Sequence, residues 1–206
     1  MNENSQIMLR YSAGDIELKS KQTVYHGFFK LEQYQVRHRL FNGGMSELVS
    51  REIFERGDAV VLMPYDPNTD SIVMIEQFRP GAIRNNDTPW LLEFVAGMFS
   101  ANESPIDVAI REAKEEANLD LTENDISPIM NYLSSPGGMS EQIHLLIGIV
   151  DSKGVGGVYG LAQEHEDILV HVIKREEAMR LLLIGKITNA STIIGLQWLQ
   201  LNYKNL

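Results

Sequence analysis

The chain has 206 residues, 44% of them hydrophobic and 22% charged, an ordinary balance that excludes wholesale disorder and suits one core or a core with a small appendage. A net charge of −10 argues against non-specific binding to nucleic acid or acidic membranes. The absence of cysteine excludes disulfides, zinc thiolates and thiol nucleophiles.

No apolar run is long enough to span a bilayer, and the N-terminal MNENSQIMLR lacks the basic-then-apolar order of a signal peptide, so a soluble cytoplasmic protein is expected. Residues 1–15 are polar and read as loose. From Lys19 to Leu40 the texture is strand-like. Asn42-Gly43-Gly44 marks a turn, and Met45 to Phe54 alternates in the manner of a further strand. Such a meander buries little by itself, so it needs the following domain or a second copy of the chain to pack on. Arg56-Gly57-Asp58 marks a boundary, which predicts an N-terminal antiparallel sheet over 1–56 and a main domain over 57–206.

In the main domain, strands are expected at Ala59–Met63, Ser71–Phe78, Trp90–Ala96, Ile126–Ser134, Ile143–Val150 and Ile168–Ile173. A turn is expected at Asp66–Asp70 and a polar loop, containing Asn85 and Asn86, at Gly81–Pro89. The segment Asp151–Asp167 is long and glycine-rich, and loops of that length are often lids or binding loops. Arg175–Ile184 and Ala190–Tyr203 read as amphipathic helices. Trp90 and Trp198 read as core anchors. Strands with interspersed helices predict an α/β or α+β fold.

The stretch Gly97–Leu119, GMFSANESPIDVAIREAKEEANL, carries the chemistry. Ser104 is a good N-cap, Pro105 suits the first helical position and Asp107 completes a capping box. Ile106, Ala109, Ile110, Ala113 and Ala117 form an apolar stripe, and Asn118 stands where a left-handed residue ends a helix. Glu112, Glu115 and Glu116 crowd one flank. Arg111 can pair with Glu115, but Glu112 and Glu116 are a like-charge i,i+4 pair costing roughly 0.2–0.5 kcal/mol. Such a face lies in water or holds a hard cation, Mg²⁺ above all.

Gly97, Glu103, Arg111-Glu112, Glu115-Glu116 and Leu119, in that spacing, resemble the Nudix box, the loop-helix signature of hydrolases acting on nucleoside diphosphates linked to another moiety. Asn118 departs from the pattern, which usually has Gly there. The likeness runs over nearly the whole chain, through EQFRPGA, PWLLEFVAGM, SSPGGMSE and EHEDILVHV, and is with the ADP-ribose-cleaving bacterial branch. It implies a Nudix α/β/α sandwich with a mixed sheet, and a homodimer exchanging N-terminal sheets. It implies Mg²⁺, with Mn²⁺ as the alternative, at two or three ions per site. The main-chain carbonyl of Ala96 with Glu112, Glu116 and Glu166 would hold them. Glu115, in or near that site, and Arg111 would be catalytic together with Glu164, and Glu103 would position the box through its pairings. Glu164, in the acidic run closing the long loop, aligns with the residue that takes the proton of a metal-activated water, with Glu166 its rival. Phe28 from the other subunit, Arg51 and Glu52 would hold the adenine end, Arg79 the phosphates, and Ser135 and Glu141 the terminal ribose. The implied reaction cleaves ADP-ribose to AMP and ribose 5-phosphate. Alternatives are the same chemistry on ADP-glucose or GDP-mannose, or a non-catalytic module that senses ADP-ribose. Neither nucleic acid nor membrane is an expected partner.

Overall fold

A computed structural model describes residues 9–84 and 87–206, so Asn85 and Asn86 of the polar loop and the start of the N-terminal segment lie outside the described residues. The chain divides into two compact units, Met1–Arg56 with Ser135–Glu141, and Gly57–Ser134 with Gln142–Leu206.

The first unit is a three-stranded antiparallel sheet of β1 (Ile16–His26), β2 (Lys30–His38) and β3 (Val49–Glu55), in that order. The strand-like stretch from Lys19 to Leu40 is thus two strands, turned at Gly27–Phe29. Every residue of β1 is exposed, including Ile16, Leu18, Val24 and Tyr25. Its aromatic contacts centre on Phe29, which packs edge-on against the exposed Phe28 and the partly buried Phe54 at centroid distances of 4.7 and 5.2 Å. Met139 bridges to Phe54, and Arg56 pairs with Glu141 at 3.2 Å, which ties Ser135–Glu141 into this unit.

The second unit is a mixed sheet between helices. Its strands are β4 (Ala59–Asp66), β5 (Ser71–Phe78), β6 (Trp90–Glu93), β7 (Val95–Met98), β8 (Ile126–Leu133), β9 (Gln142–Ile149), β10 (Gly157–Tyr159) and β11 (Ile168–Lys174). The order is β10-β11-β5-β4-β9-β8, with β4 and β9 parallel and the other pairings antiparallel. Side chains alternate across the sheet, as the two-residue period requires. Val60, Leu62, Val73, Ile75 and Val95 face α1 (Pro105–Ala117), meeting Val108, Ala109, Ala113 and Ala117. Val61, Met63, Ile72, Met74 and Leu145 face the other way, toward α2 (Arg175–Leu183) and α3 (Ala190–Asn202). Phe94 belongs to that second core and lies so close to α3 that a Cβ at Gly195 would stand 2.5 Å from its ring. Among the described residues no helix is long and apolar enough to cross a membrane.

Three expectations change. Trp90–Ala96 is two strands: β6 pairs with β5 and β7 pairs with β4. The β4–β5 hairpin pairs directly only at Tyr65–Ile72 and Asp66–Ser71, then opens, and β6–β7 fills the opening, crossing it at Phe94. The loop Asp151–Asp167 has structure of its own, since β10 pairs with β11 and Ala162–Glu164 form a 3₁₀ turn. Trp90 is half exposed and stands against Phe78 at 5.3 Å, outside the core.

Candidate active site

The helix α1 forms as its local code dictates. Ser104 caps it, accepting from the Asp107 backbone N–H while the Asp107 carboxylate accepts from the Ser104 N–H, and Asn118 closes it in the left-handed conformation at φ 51°. Its flank is held by Arg111. That guanidinium grips both oxygens of Glu103, at 2.8 and 3.1 Å, then Glu112 at 2.6 Å and Glu115 at 3.2 Å, and the Met98 carbonyl at 3.2 Å. The expected Arg111–Glu115 pair is present but is the weakest of these carboxylate contacts. Glu103 is anchored further by the Ser100 N–H at 2.8 Å, in keeping with a positioning role.

Glu116 does not lie on a solvated flank: it is buried beneath β7, where its Oε2 accepts the Ala96 N–H at 2.9 Å. Glu112 reaches the same piece of backbone, for a Cβ on Gly97 would stand 1.8 Å from its Oε1. Burial, joined by the charges of Glu112 and Glu166, pushes the Glu116 carboxyl up to about 8 despite the Ala96 hydrogen bond. Burial likewise raises Glu112 to about 7, opposed by Arg111 and reinforced by Glu115 and Glu166. The charge of Glu166 thus reaches both Glu112 and Glu116. Glu166 Oε2 accepts from the Leu161 N–H at 3.0 Å, and the loop is tied to α1 by the Gly160 N–H donating to the Glu115 carbonyl at 3.2 Å. Glu164 is exposed at the end of its 3₁₀ turn, followed by His165 in the left-handed conformation.

The donor set suits a hard divalent cation: oxygen ligands only, mutually repelling carboxylates in a desolvated site, and a glycine leaving room for one of them over the backbone. Among the described residues no three acidic or histidine side chains converge on one point; Glu112 is turned to Arg111 and Glu116 to the Ala96 N–H.

Arg79 lies in this same unit, just past β5, with its Nε on Glu93 at 2.8 Å, and its charge reaches Glu116. Two buried polar groups stand outside the sequence expectations: Glu93, a carboxylate that also accepts from Asn189 at 2.6 Å, and Gln77, whose buried Nε2 has no hydrogen-bond partner among the described residues. A charged or amide residue among buried strand positions was the available signal in both cases. Phe28, Arg51, Glu52, Ser135 and Glu141 belong to the first unit. There Phe28 is 89% exposed, Arg51 stands opposite Tyr34, and Glu52 opposite Gln33.

Residues 55–185 match the family model of the NUDIX domain. The chain belongs to the NUDIX family. It is 50% identical over 196 residues to the ADP-ribose pyrophosphatase of Escherichia coli (strain K12), covering 95% of this chain and 93% of that protein. It is 47% identical over 199 residues to the ADP-ribose pyrophosphatase of Haemophilus influenzae, covering 95% of this chain and 91% of that protein. Similarity extends at 29% identity to a GDP-mannose pyrophosphatase of Pectobacterium atrosepticum, over 88% of this chain and 92% of that protein. In fold it is similar to a solved ADP compounds hydrolase, with a TM-score of 0.65 at 19% identity over 92% of this chain and 97% of that one.

Proposed function

We propose that the protein hydrolyses ADP-ribose to AMP and ribose 5-phosphate in a reaction that needs a divalent cation, Mg²⁺ or Mn²⁺, at two or three ions per site. The observation that carries this reading is the meeting of Glu112 and Glu116 at the Ala96–Gly97 backbone, with Glu166 close enough to raise both carboxyls. The near-50% identity to two ADP-ribose pyrophosphatases supports the choice of substrate.

The Ala96 carbonyl, Glu112, Glu116 and Glu166 would hold the metal. A bound divalent cation supplies positive charge against the diphosphate oxygens and makes water more acidic. Arg111 keeps Glu112 and Glu115 from drifting by holding them together with Glu103. Glu164 accepts the proton of the attacking water at its carboxylate; being exposed and outside the Arg111 network, it is available as a base. Arg79 presents its guanidinium to the phosphates. Phe28 of the partner subunit stacks on adenine, Arg51 and Glu52 bind its edge, and Ser135 and Glu141 take the terminal ribose. The N-terminal sheet over 1–56 exchanges across a homodimer, which the wholly exposed β1 with its apolar side chains supports.

A second reading, the same chemistry on GDP-mannose or another nucleotide sugar, is favoured by the similarity to a GDP-mannose pyrophosphatase. The test is a hydrolysis panel of ADP-ribose, ADP-glucose, GDP-mannose and NADH, with Mg²⁺ or with chelator, and products identified by phosphorus NMR. AMP and ribose 5-phosphate released fastest from ADP-ribose, and lost with chelator, is the expected result. Preference for GDP-mannose transfers the assignment to the second reading, and no turnover of any substrate points to a binding module. Glu164→Gln should lower kcat by orders of magnitude with KM little changed; retained turnover would remove Glu164 as the base.

A further inference from the structure

Glu93 ends β6 inside the opening between β4 and β5 and is only 3% exposed. A buried carboxylate is costly unless its oxygens are satisfied, and both of these are. Oε2 accepts from Arg79 Nε at 2.8 Å and Oε1 from Asn189 Nδ2 at 2.6 Å. Asn189 is the N-cap of α3, and its other end is occupied as well: Oδ1 accepts from the Thr192 N–H at 3.1 Å and the Thr192 hydroxyl at 3.2 Å. One amide thus caps a helix with its oxygen and holds a carboxylate with its nitrogen. Arg79 is fixed at both levels, its backbone N–H donating to the Pro89 carbonyl at 2.8 Å and its side chain gripped through Nε. Among the described residues nothing hydrogen-bonds its two terminal amino groups, and the side chain is 41% exposed. A guanidinium is planar by resonance, and one held through Nε leaves its two terminal groups as the fork that phosphate oxygens accept bidentately.

We propose that Glu93 and Asn189 are positioning residues that hold Arg79 with its fork open to a phosphate of the nucleoside diphosphate, so that the first residue before α3 governs affinity for the substrate. This rests on the reading of Arg79 as a phosphate contact. A purely structural role for Asn189 would end at the helix cap.

Asn189→Ser separates the two roles, because serine caps helices about as well as asparagine but lacks the amide donor. The expected result with ADP-ribose is a KM raised about tenfold with kcat within about threefold and a thermal midpoint near that of the wild type. Glu93→Gln should shift KM in the same direction, and decides the matter should Asn189→Ser not fold. In an Arg79→Ala background, Asn189→Ser should raise KM no further, since the arginine it acts through is gone. Unchanged KM in both single variants, or a full further increase in the Arg79→Ala background, overturns the proposal. Calorimetric titration with ADP keeps it apart from the choice of substrate. If wild type binds ADP but leaves ADP-ribose intact, the substrate reading fails, while a weakened ADP affinity in Asn189→Ser that vanishes without Arg79 still upholds the positioning role. Wild type that binds no ADP and leaves ADP-ribose intact overturns both.

Discussion

Gly97→Ala is the most economical test of how the acidic site is packed. The new methyl would lie 1.8 Å from Glu112 Oε1, 2.1 Å from its Cδ and 2.4 Å from its Cγ. Ordinary contact begins near 3.4 Å, so the carboxylate must retreat by about 1.6 Å, and because Cγ clashes as well the whole side chain must leave its rotamer. The backbone at Gly97 has no left-handed φ, so the substitution is strained by the neighbour and not by its own conformation. The Arg111–Glu112 contact at 2.6 Å breaks with the move. Displacing a functional group by about 1 Å costs on the order of 10²-fold in rate. Turnover of ADP-ribose should therefore fall by about that factor, and the Mg²⁺ concentration for half-maximal rate should rise. The thermal midpoint should stay within about 3 °C, since the group that yields is one flexible side chain. The assay is AMP release against Mg²⁺ concentration beside a thermal melt. Wild-type turnover at an unchanged Mg²⁺ requirement would refute the reasoning, since it would mean that the position of Glu112 does not matter.

Arg111→Lys keeps the charge but cannot span Glu103, Glu112, Glu115 and the Met98 carbonyl at once. Turnover should drop at least tenfold and Ser104→Ala, which weakens only the helix cap by about 1 kcal/mol, should not reproduce that loss at a matched thermal midpoint. Gly195→Ala should destabilise by about 1–3 kcal/mol in urea titration despite its better helix propensity, because the methyl would stand 2.5 Å from Phe94; adding Phe94→Leu should recover part of the loss. Burial would raise the Asp66 carboxyl, but hydrogen bonds from Ser152 and Thr69 outweigh it and hold it well below the usual carboxylate range. A depressed folded-state pKa stabilises above the unfolded value of about 3.9 and loses that stabilisation as pH falls toward the folded one. Asp66→Asn should thus cost about 1.5–3 kcal/mol at pH 7, with the gap to wild type closing below about pH 4 in urea midpoints measured across pH.

What could be read from the chain alone was whatever is coded locally. Ser104, Pro105, Asp107 and Asn118 act within a few residues of themselves, and α1 begins and ends where they place it. The strands expected in the main domain, written in alternating or continuous apolar runs, fall within a few residues of their expected bounds, apart from the division of Trp90–Ala96, while β10 stands in a segment that reads as a loop. That division was illegible because it depends on β4 and β5 parting, a fact of pairing that the segment itself does not carry. Glu116 shows the same limit. By spacing it belongs to a charged flank; only the arrival of β7 over the helix buries it. Glu93 carries only the weak signal of a charged residue among buried strand positions, as its partners come from 14 residues earlier and 96 residues later. Trp90 erred in the other direction, an aromatic side chain left half exposed at the open end of β5 and β6.

The crossing of β6 into β7 has a consequence for how such a site is spaced. Glu93, which steadies the arginine, and Ala96, whose N–H holds the buried carboxylate, are three residues apart on one extended segment, about 10 Å of chain that cannot lengthen. Both are wedged between strands that leave the segment no register to slip into. The segment works as a ruler between Arg79 and the buried Glu116 carboxylate. An insertion there would shift both anchors at once, so the spacing between the arginine and the buried carboxylate is set by the sheet itself.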